Sequence, residues 1–269
     1  MSTKTTEVKA RFESPQWYLR RRRYNIEVRR ETVQEFARRL NPRSVLDIGC
    51  GDGSISLPLL TSTNRLTLVD MSTGMLAIAK SSVSKLALGR VAVLNGDFLA
   101  LDLPANSFDL IICLGLLAHV DSPAEVIKKI AALLSEGGAV IMENTDAAHF
   151  LAGRQGLFHR FLHTVGRVPY PLTRTTSDEV TSMFRERGFG LSAIFRYSLP
   201  ANTFGLDRII PQRLLYWLIR LAFGSAKHSR NSRFGTECIY LFKAVSVVHE
   251  SLVLQTSSAT ANRELKTIR

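Results

Sequence analysis

The stretch Val45-Leu46-Asp47-Ile48-Gly49-Cys50-Gly51-Asp52-Gly53 decides the architecture. A short apolar run enters three glycines at alternate positions, the pattern of a buried strand turning sharply toward a helix. Glycines at such a turn let the backbone bend and approach a ligand closely. The dinucleotide fingerprint G-x-G-x-x-G requires glycine three places after Gly51, where this chain has Ser54. That difference counts against a dehydrogenase. Asp47 is a second difference, because a carboxylate two residues before Gly49 suits an ammonium group better than a pyrophosphate.

Outward from this loop, short apolar runs alternate with helical patterns. Strands are expected over residues 44–49, 65–70, 90–97, 108–115 and 138–145, and helices over 54–60, 74–88 and 123–134 with Ser122 as N-cap. Later, Ser177 with Asp178 and Glu179 can cap a helix running to Arg187 and closed by Gly188, followed by strands at 190–197 and 237–247. The alternation implies right-handed βαβ crossovers in an α/β, Rossmann-like, doubly wound and mostly parallel seven-stranded sheet. Carboxylates end the strands where ligands bind in such folds. Asp70 ends the second, where it can take both ribose hydroxyls, and Asp97 ends the third, where it can accept from an adenine amino group.

Charge is divided along the chain rather than spread over it. The 35 Lys and Arg against 23 Asp and Glu give a net +12, yet residues 44–153 hold 6 basic and 11 acidic groups. Residues 1–43 hold 12 basic and 5 acidic groups, and 154–233 hold 13 and 4. Basic blocks flanking an acidic core suit nucleic acid, an anionic membrane surface, a negatively charged substrate, or simply solvated helix faces. The opening MSTKTTEVKA has no apolar signal core, so a cytoplasmic chain is expected, peripheral at most at the inner membrane surface. Three cysteines without close spacing argue against a disulfide framework or a zinc site.

Together the pieces VLDIGCGDG, LTLVDMSTGML, NGDFLALDLPANSFDLIICLGLLAHV and LLSEGGAVIMEN resemble the class I S-adenosylmethionine-dependent methyltransferases, in that family's order and near its spacing. The resemblance implies S-adenosylmethionine as cofactor and a methyltransferase activity. It implies that Gly49, Cys50, Gly51 and Gly53 line the methionine moiety and that Asp47 positions the loop and the amino group. Asp70 would hold the ribose, Met71 would pack on adenine, Asp97 and Phe98 would read the adenine edge, and Leu114 would touch the cofactor. Residues 1–43 are expected as an N-terminal helical lid from which Tyr18 or Tyr24 contacts the cofactor. Residues 44–248 are expected to form the methyltransferase domain, with substrate-side inserts at about 147–176 and 200–233, and 249–269 are expected as a flexible tail.

Methyl transfer needs alignment and exclusion of water, and a hydroxyl acceptor also benefits from a general base. His119, just beyond the fourth strand, is the candidate catalytic residue, though a lone histidine after an apolar run is also an ordinary packing residue. The stretch LLAHV resembles the E-H-V end of the motif in ubiquinone-type O-methyltransferases, with Ala118 in place of glutamate. His159 and His163, four residues apart, would share a helix face, but no third ligand accompanies them in the sequence and no metal site is expected. The segment RIIPQRLLYWLIRLAFG reads as an interfacial helix, a substrate-domain helix or the seam of a homodimer. The expected acceptor is a small molecule, apolar or anionic, lipid-linked or a natural product, methylated on oxygen or nitrogen. Two alternatives stay open: an RNA or protein methyltransferase, and a non-catalytic S-adenosylmethionine-binding protein at a membrane surface. Nucleic acid is the less expected partner, since the chain shows no separate RNA-binding module and LGLL stands where amino-base methyltransferases carry N/D-P-P-Y/F.

Overall fold

The computed structural model describes residues 3–152, 164, 170–198 and 209–245. Seven strands form one sheet: β1 (Ser44–Ile48), β2 (Arg65–Asp70), β3 (Val91–Asn95), β4 (Phe108–Cys113), β5 (Leu134–Thr145), β6 (Phe189–Tyr197) and β7 (Glu237–Ala244). Their order is β3-β2-β1-β4-β5-β7-β6. β1 to β5 are parallel, and β7 lies antiparallel between β5 and β6. The order reverses between β1 and β4, which opens a crevice at their carboxyl ends.

The helices are α1 (Thr3–Phe12), α2 (Gln16–Ala37), α3 (Thr73–Ser82), α4 (Pro123–Leu133), α5 (Ser177–Arg185) and α6 (Gln212–Phe223). A parallel sheet has both faces covered, so its strands are apolar throughout rather than alternating. Val45, Leu68, Leu110, Ile112 and Ile141 face one core with Val28 of α2, Leu76 of α3 and Ile219 of α6. Leu46, Ile48, Ile111, Val140 and Met142 face the other, with Val126 and Ile130 of α4 and Phe184 of α5. Among the described residues, no helix is long and apolar enough to cross a membrane.

Three expected helices differ in extent. Residues 54–60 make only a 3-10 turn at Leu57–Leu59, because Pro58 lacks an amide donor and Ser54 is held by the Asp52 carboxylate, its N–H donating at 3.1 Å and its hydroxyl at 2.7 Å. The helix expected over 74–88 stops at Ser82, where the Ser81 and Ser82 hydroxyls both donate to the Ile78 carbonyl, and a separate 3-10 turn covers Lys85–Arg90. The N-cap of α5 is Thr176 rather than Ser177: its hydroxyl accepts from Glu179 N while the Glu179 carboxylate accepts from Thr176 N. Most of the first insert with His159 and His163, the opening of the second insert and residues 249–269 lie outside the described residues.

Candidate active site

Gly49, Gly51 and Gly53 adopt φ of +69°, +55° and +72°, the left-handed region that other residues enter only at a cost. Gly49 N and Cys50 N both donate to the Val69 carbonyl, at 2.8 and 3.1 Å, which ties the loop to the end of β2. Asp70 completes the tie. Its Oδ2 accepts from Gly51 N and its Oδ1 from Ser72 N, each at 2.8 Å. Burial raises the Asp70 carboxyl above the ordinary value, those backbone N–H groups oppose the rise, and Glu13 adds to it.

A cavity of about 1200 Å³ opens over this loop. Gly49, Cys50, Gly51, Asp70 and Met71 line it, and so do Asp97, Phe98, Leu114, Tyr18 and His119. Asp97 Oδ1 accepts from Leu99 N at 3.0 Å, and the Lys129 ammonium lies 5.0 Å over the Phe98 ring. Two predicted residues stand behind the wall. Gly53 packs inward, where an added Cβ would meet Leu57 Cδ1 at 2.9 Å. Asp47 is 3 % exposed, and its Oδ2 carries no hydrogen bond. Burial pushes Asp47 up to about 7; Ser56 tempers the rise from beyond hydrogen-bond geometry, and Asp70 and Asp52 add to it.

Tyr24 is a correction. It sits in the core at 1 % exposure and does not line the cavity. The helix explains the difference: Tyr18, Arg22, Asn25 and Arg29 fall on one stripe of α2 and line the cavity, whereas Tyr24 and Val28 lie on the stripe facing the sheet.

The N-terminal helices form the far wall. Ser72 Oγ donates to the Phe12 carbonyl at 2.9 Å, and Lys4 Nζ donates to Val120 O at 2.8 Å and to Thr173 Oγ1 at 2.6 Å. At Gly74 an added Cβ would lie 2.5 Å from the Glu13 carbonyl oxygen, so only glycine allows this approach. His119 ends a 3-10 turn after β4; its Nδ1 lies 3.0 Å from the Tyr170 hydroxyl, and its ring meets the edge of Phe12.

The sequence did not single out a buried charged group on the β5–β7 side. Arg29 Nε donates to Glu143 Oε1 at 2.9 Å and its Nη2 pairs with Oε2 at 2.5 Å; the side chains are 12 % and 1 % exposed. Tyr197 OH lies 3.0 Å from Glu143 Oε1 and 2.7 Å from Asn25 Oδ1. Burial alone would lower the Arg29 pKa, but the Glu143 carboxylate raises it overall, so the guanidinium stays charged. Glu237, at the start of β7, accepts from Thr145 Oγ1 at 2.8 Å and is pushed up to about 7 by burial and by Glu143. Glu143 and Glu237 both line the cavity. Glu143 had a readable signal, a carboxylate ending the apolar run AVIM. Arg29 had none among so many arginines.

The three cysteines are free and buried, and burial raises the Cys50 and Cys113 thiols. Among the described residues, no group of three or more His, Cys, Asp or Glu is arranged to hold a metal ion.

A methyltransferase-domain family model matches residues 45–138. A ubiquinone biosynthesis O-methyltransferase of Bordetella pertussis is 32% identical over 189 residues, 64% of this chain and 76% of that protein. A phosphatidylethanolamine N-methyltransferase of Cereibacter sphaeroides is 29% identical over 157 residues, 57% of this chain and 77% of that protein. The magnesium protoporphyrin IX methyltransferase of Synechocystis, solved with bound S-adenosylhomocysteine, shares the fold with TM-score 0.57 and 18% identity over 90% of this chain and 99% of that one. A glycine loop tied to a strand-end carboxylate, a seven-stranded sheet with one antiparallel strand and these relatives agree: the chain belongs to the class I S-adenosylmethionine-dependent methyltransferases.

Proposed function

We propose that this methyltransferase transfers the methyl group to an oxygen or nitrogen of a small, apolar or anionic acceptor held beside S-adenosylmethionine in the same cavity. The observation that carries this reading is the cavity itself. At about 1200 Å³ it exceeds the roughly 300–1,000 Å³ of an ordinary single-ligand site, and its lining adds apolar and positively charged side chains to the glycine loop and the strand-end carboxylates. Val8, Phe12, Trp17 and Ile26 give it apolar surface, while Arg11, Arg22 and Arg174 give it positive charge.

The residues present fit the cofactor. When bound, S-adenosylmethionine supplies a methyl group on a positively charged sulfonium. Asp47 Oδ2, buried behind the loop without a hydrogen bond and off the cavity wall, offers its charge to the cofactor's ammonium through the loop rather than by contact. Both Asp70 oxygens keep acceptor capacity beyond the two backbone bonds they make, which suits a ribose diol. Gly49 and Gly51 bring the backbone close, and Asp97 with Phe98 lines the same cavity and suits the adenine. α1 and the Tyr18 end of α2 exclude water from the reacting atoms, an effect that matters in an in-line displacement.

His119 serves as general base for a hydroxyl acceptor. Its Nδ1 lies 3.0 Å from the Tyr170 hydroxyl, a contact that orients the imidazole at the cavity wall. Titration calorimetry with S-adenosylmethionine tests the cofactor half, and Asp70→Ala should weaken binding on the order of 100-fold through lost charge-assisted bonds. Unchanged affinity would sink it. Labelled S-adenosylmethionine incubated with a cell metabolite extract tests the acceptor half. Tight cofactor binding with no labelled small molecule would favour a non-catalytic role.

A further inference from the structure

Helix α6 is apolar on both of its faces. Leu215, Ile219 and Phe223, four residues apart, are buried in the core. On the opposite side Leu214, Trp217, Leu218 and Leu221 are 45, 56, 42 and 56 % exposed. At the helical repeat these four fall in one sector of roughly 100°. Ile209, just before the helix, is 81 % exposed. A surface helix ordinarily turns a polar face to water, and a contiguous exposed apolar row marks an interaction surface.

Along this stretch of chain the charge has one sign, and the carboxylate that α2 sets against the helix, Glu31, is paired with Arg220. Arg213 borders the row, and Lys227, Arg230 and Arg233 are exposed in the segment that follows. That segment folds back on the end of α6, with Arg230 N donating to Phe223 O at 2.9 Å and Asn231 Nδ2 to Ala222 O at 2.7 Å. No acidic residue occurs between Asp207 and Glu237. A second copy seated face to face would bring these cations against one another, whereas an anionic bilayer pairs with the cations and takes up the apolar row.

We infer that α6 docks the protein on an anionic membrane surface, its Leu and Trp side chains at the acyl boundary and its cations among the headgroups. A helix of this length spans about 18 Å, short of the ~30 Å hydrocarbon core, and so lies in the plane of the interface. Trp217 has the amphipathic ring that favours this depth. On its other side α6 grips α2: Tyr216 OH donates to Glu31 Oε1 at 2.5 Å, and Arg220 pairs with the same carboxylate. Because α2 carries Tyr18 and Arg29 into the cavity, docking brings the cavity wall alongside the bilayer.

Flotation of the full chain with vesicles of phosphatidylcholine and phosphatidylglycerol, against phosphatidylcholine alone, tests the inference. The protein should float with the anionic vesicles, far less with the neutral ones, and be released by salt. Combined L214Q, W217Q and L221Q should lower partitioning at least about ten-fold, through lost apolar burial. Arg213→Gln should lower it about five-fold. Cofactor binding by each variant reports that it is folded. Failure of the wild type to float on anionic vesicles, equal flotation on neutral ones, or undiminished flotation of the triple variant overturns the docking. So does a wild-type dimer that the triple variant dissolves without any vesicle binding. A wild type that floats but binds no S-adenosylmethionine leaves the docking standing and removes the catalytic reading instead.

Discussion

Replacing Arg29 with methionine keeps most of the side-chain volume and removes the cation facing Glu143. At 2.5–2.9 Å the pair attracts by roughly 6 kcal/mol at an effective dielectric near 20, before the cost of desolvating both groups. The substitution leaves a carboxylate whose side chain is 1 % exposed with no cation beside it. Breaking such a pair costs about 3–5 kcal/mol. Tyr197 still offers its hydroxyl at 3.0 Å, which sets the expectation at the lower end, about 3 kcal/mol. Urea unfolding followed by circular dichroism measures the loss, and thermal unfolding should fall by roughly 10 °C. Glu143→Gln alone should be milder, because Arg29 also reaches the Tyr18 hydroxyl at 3.3 Å and borders the cavity. The double variant should lose less than the two single losses combined, giving a coupling energy above about 1 kcal/mol. A loss below about 1 kcal/mol for Arg29→Met, or strict additivity, would refute the pair as a structural element.

Other perturbations follow from the same geometry. Gly53 and Gly137 have nearly equal φ, +72° and +73°, but an added Cβ meets Leu57 at 2.9 Å in the first and nothing within 4 Å in the second. Gly53→Ala should therefore lose more than the ~1–2 kcal/mol of backbone strain expected for Gly137→Ala, and equal losses in denaturant melts would refute the packing argument. Asp47 and Glu237, both near 7 in the fold against about 4 unfolded, bind extra protons when native. Their contribution to stability is therefore full below about pH 4 and lost as pH rises through about 7, so the protein without cofactor should melt lower at pH 8 than at pH 6. A cationic cofactor favours ionised Asp47, so its binding near pH 7 should release a proton, detected by calorimetry in buffers of differing ionisation enthalpy. No dependence on the buffer counts against Asp47 responding to the ammonium. Thr176→Ala removes the capping box of α5 and should cost about 1 kcal/mol in chemical denaturation.

The sheet was legible because parallel strands, buried on both faces, appear as unbroken apolar runs such as Leu110–Ile111–Ile112–Cys113. The loop was legible because only glycine enters positive φ freely, and all three of its alternating glycines do so. What stayed hidden depends on partners far along the chain. Arg29 looks like its neighbours until the fold sets Glu143, 114 residues away, against it. The choice between Tyr18 and Tyr24 depends on which stripe of α2 meets the sheet, and α2 carries too many arginines for its pattern to show this. Apolar periodicity continues past the points where the chain leaves the helix, at Pro58 and at the Ser81–Ser82 pair, because it does not register a missing amide donor or a competing hydroxyl.

β7 is the last strand along the described chain yet an interior strand of the sheet. On the ribosome, β6 has no strand to pair with until residues 237–244 emerge, and the β5 edge stays open meanwhile. At ordinary elongation speeds of about 5–20 residues per second that interval lasts for seconds, long enough for chaperones to engage the open edge. Glu237, the first residue of β7, is also part of the cavity wall. Completion of the sheet and completion of the cavity are therefore a single late event in the making of the molecule, and a nascent chain lacking β7 holds neither.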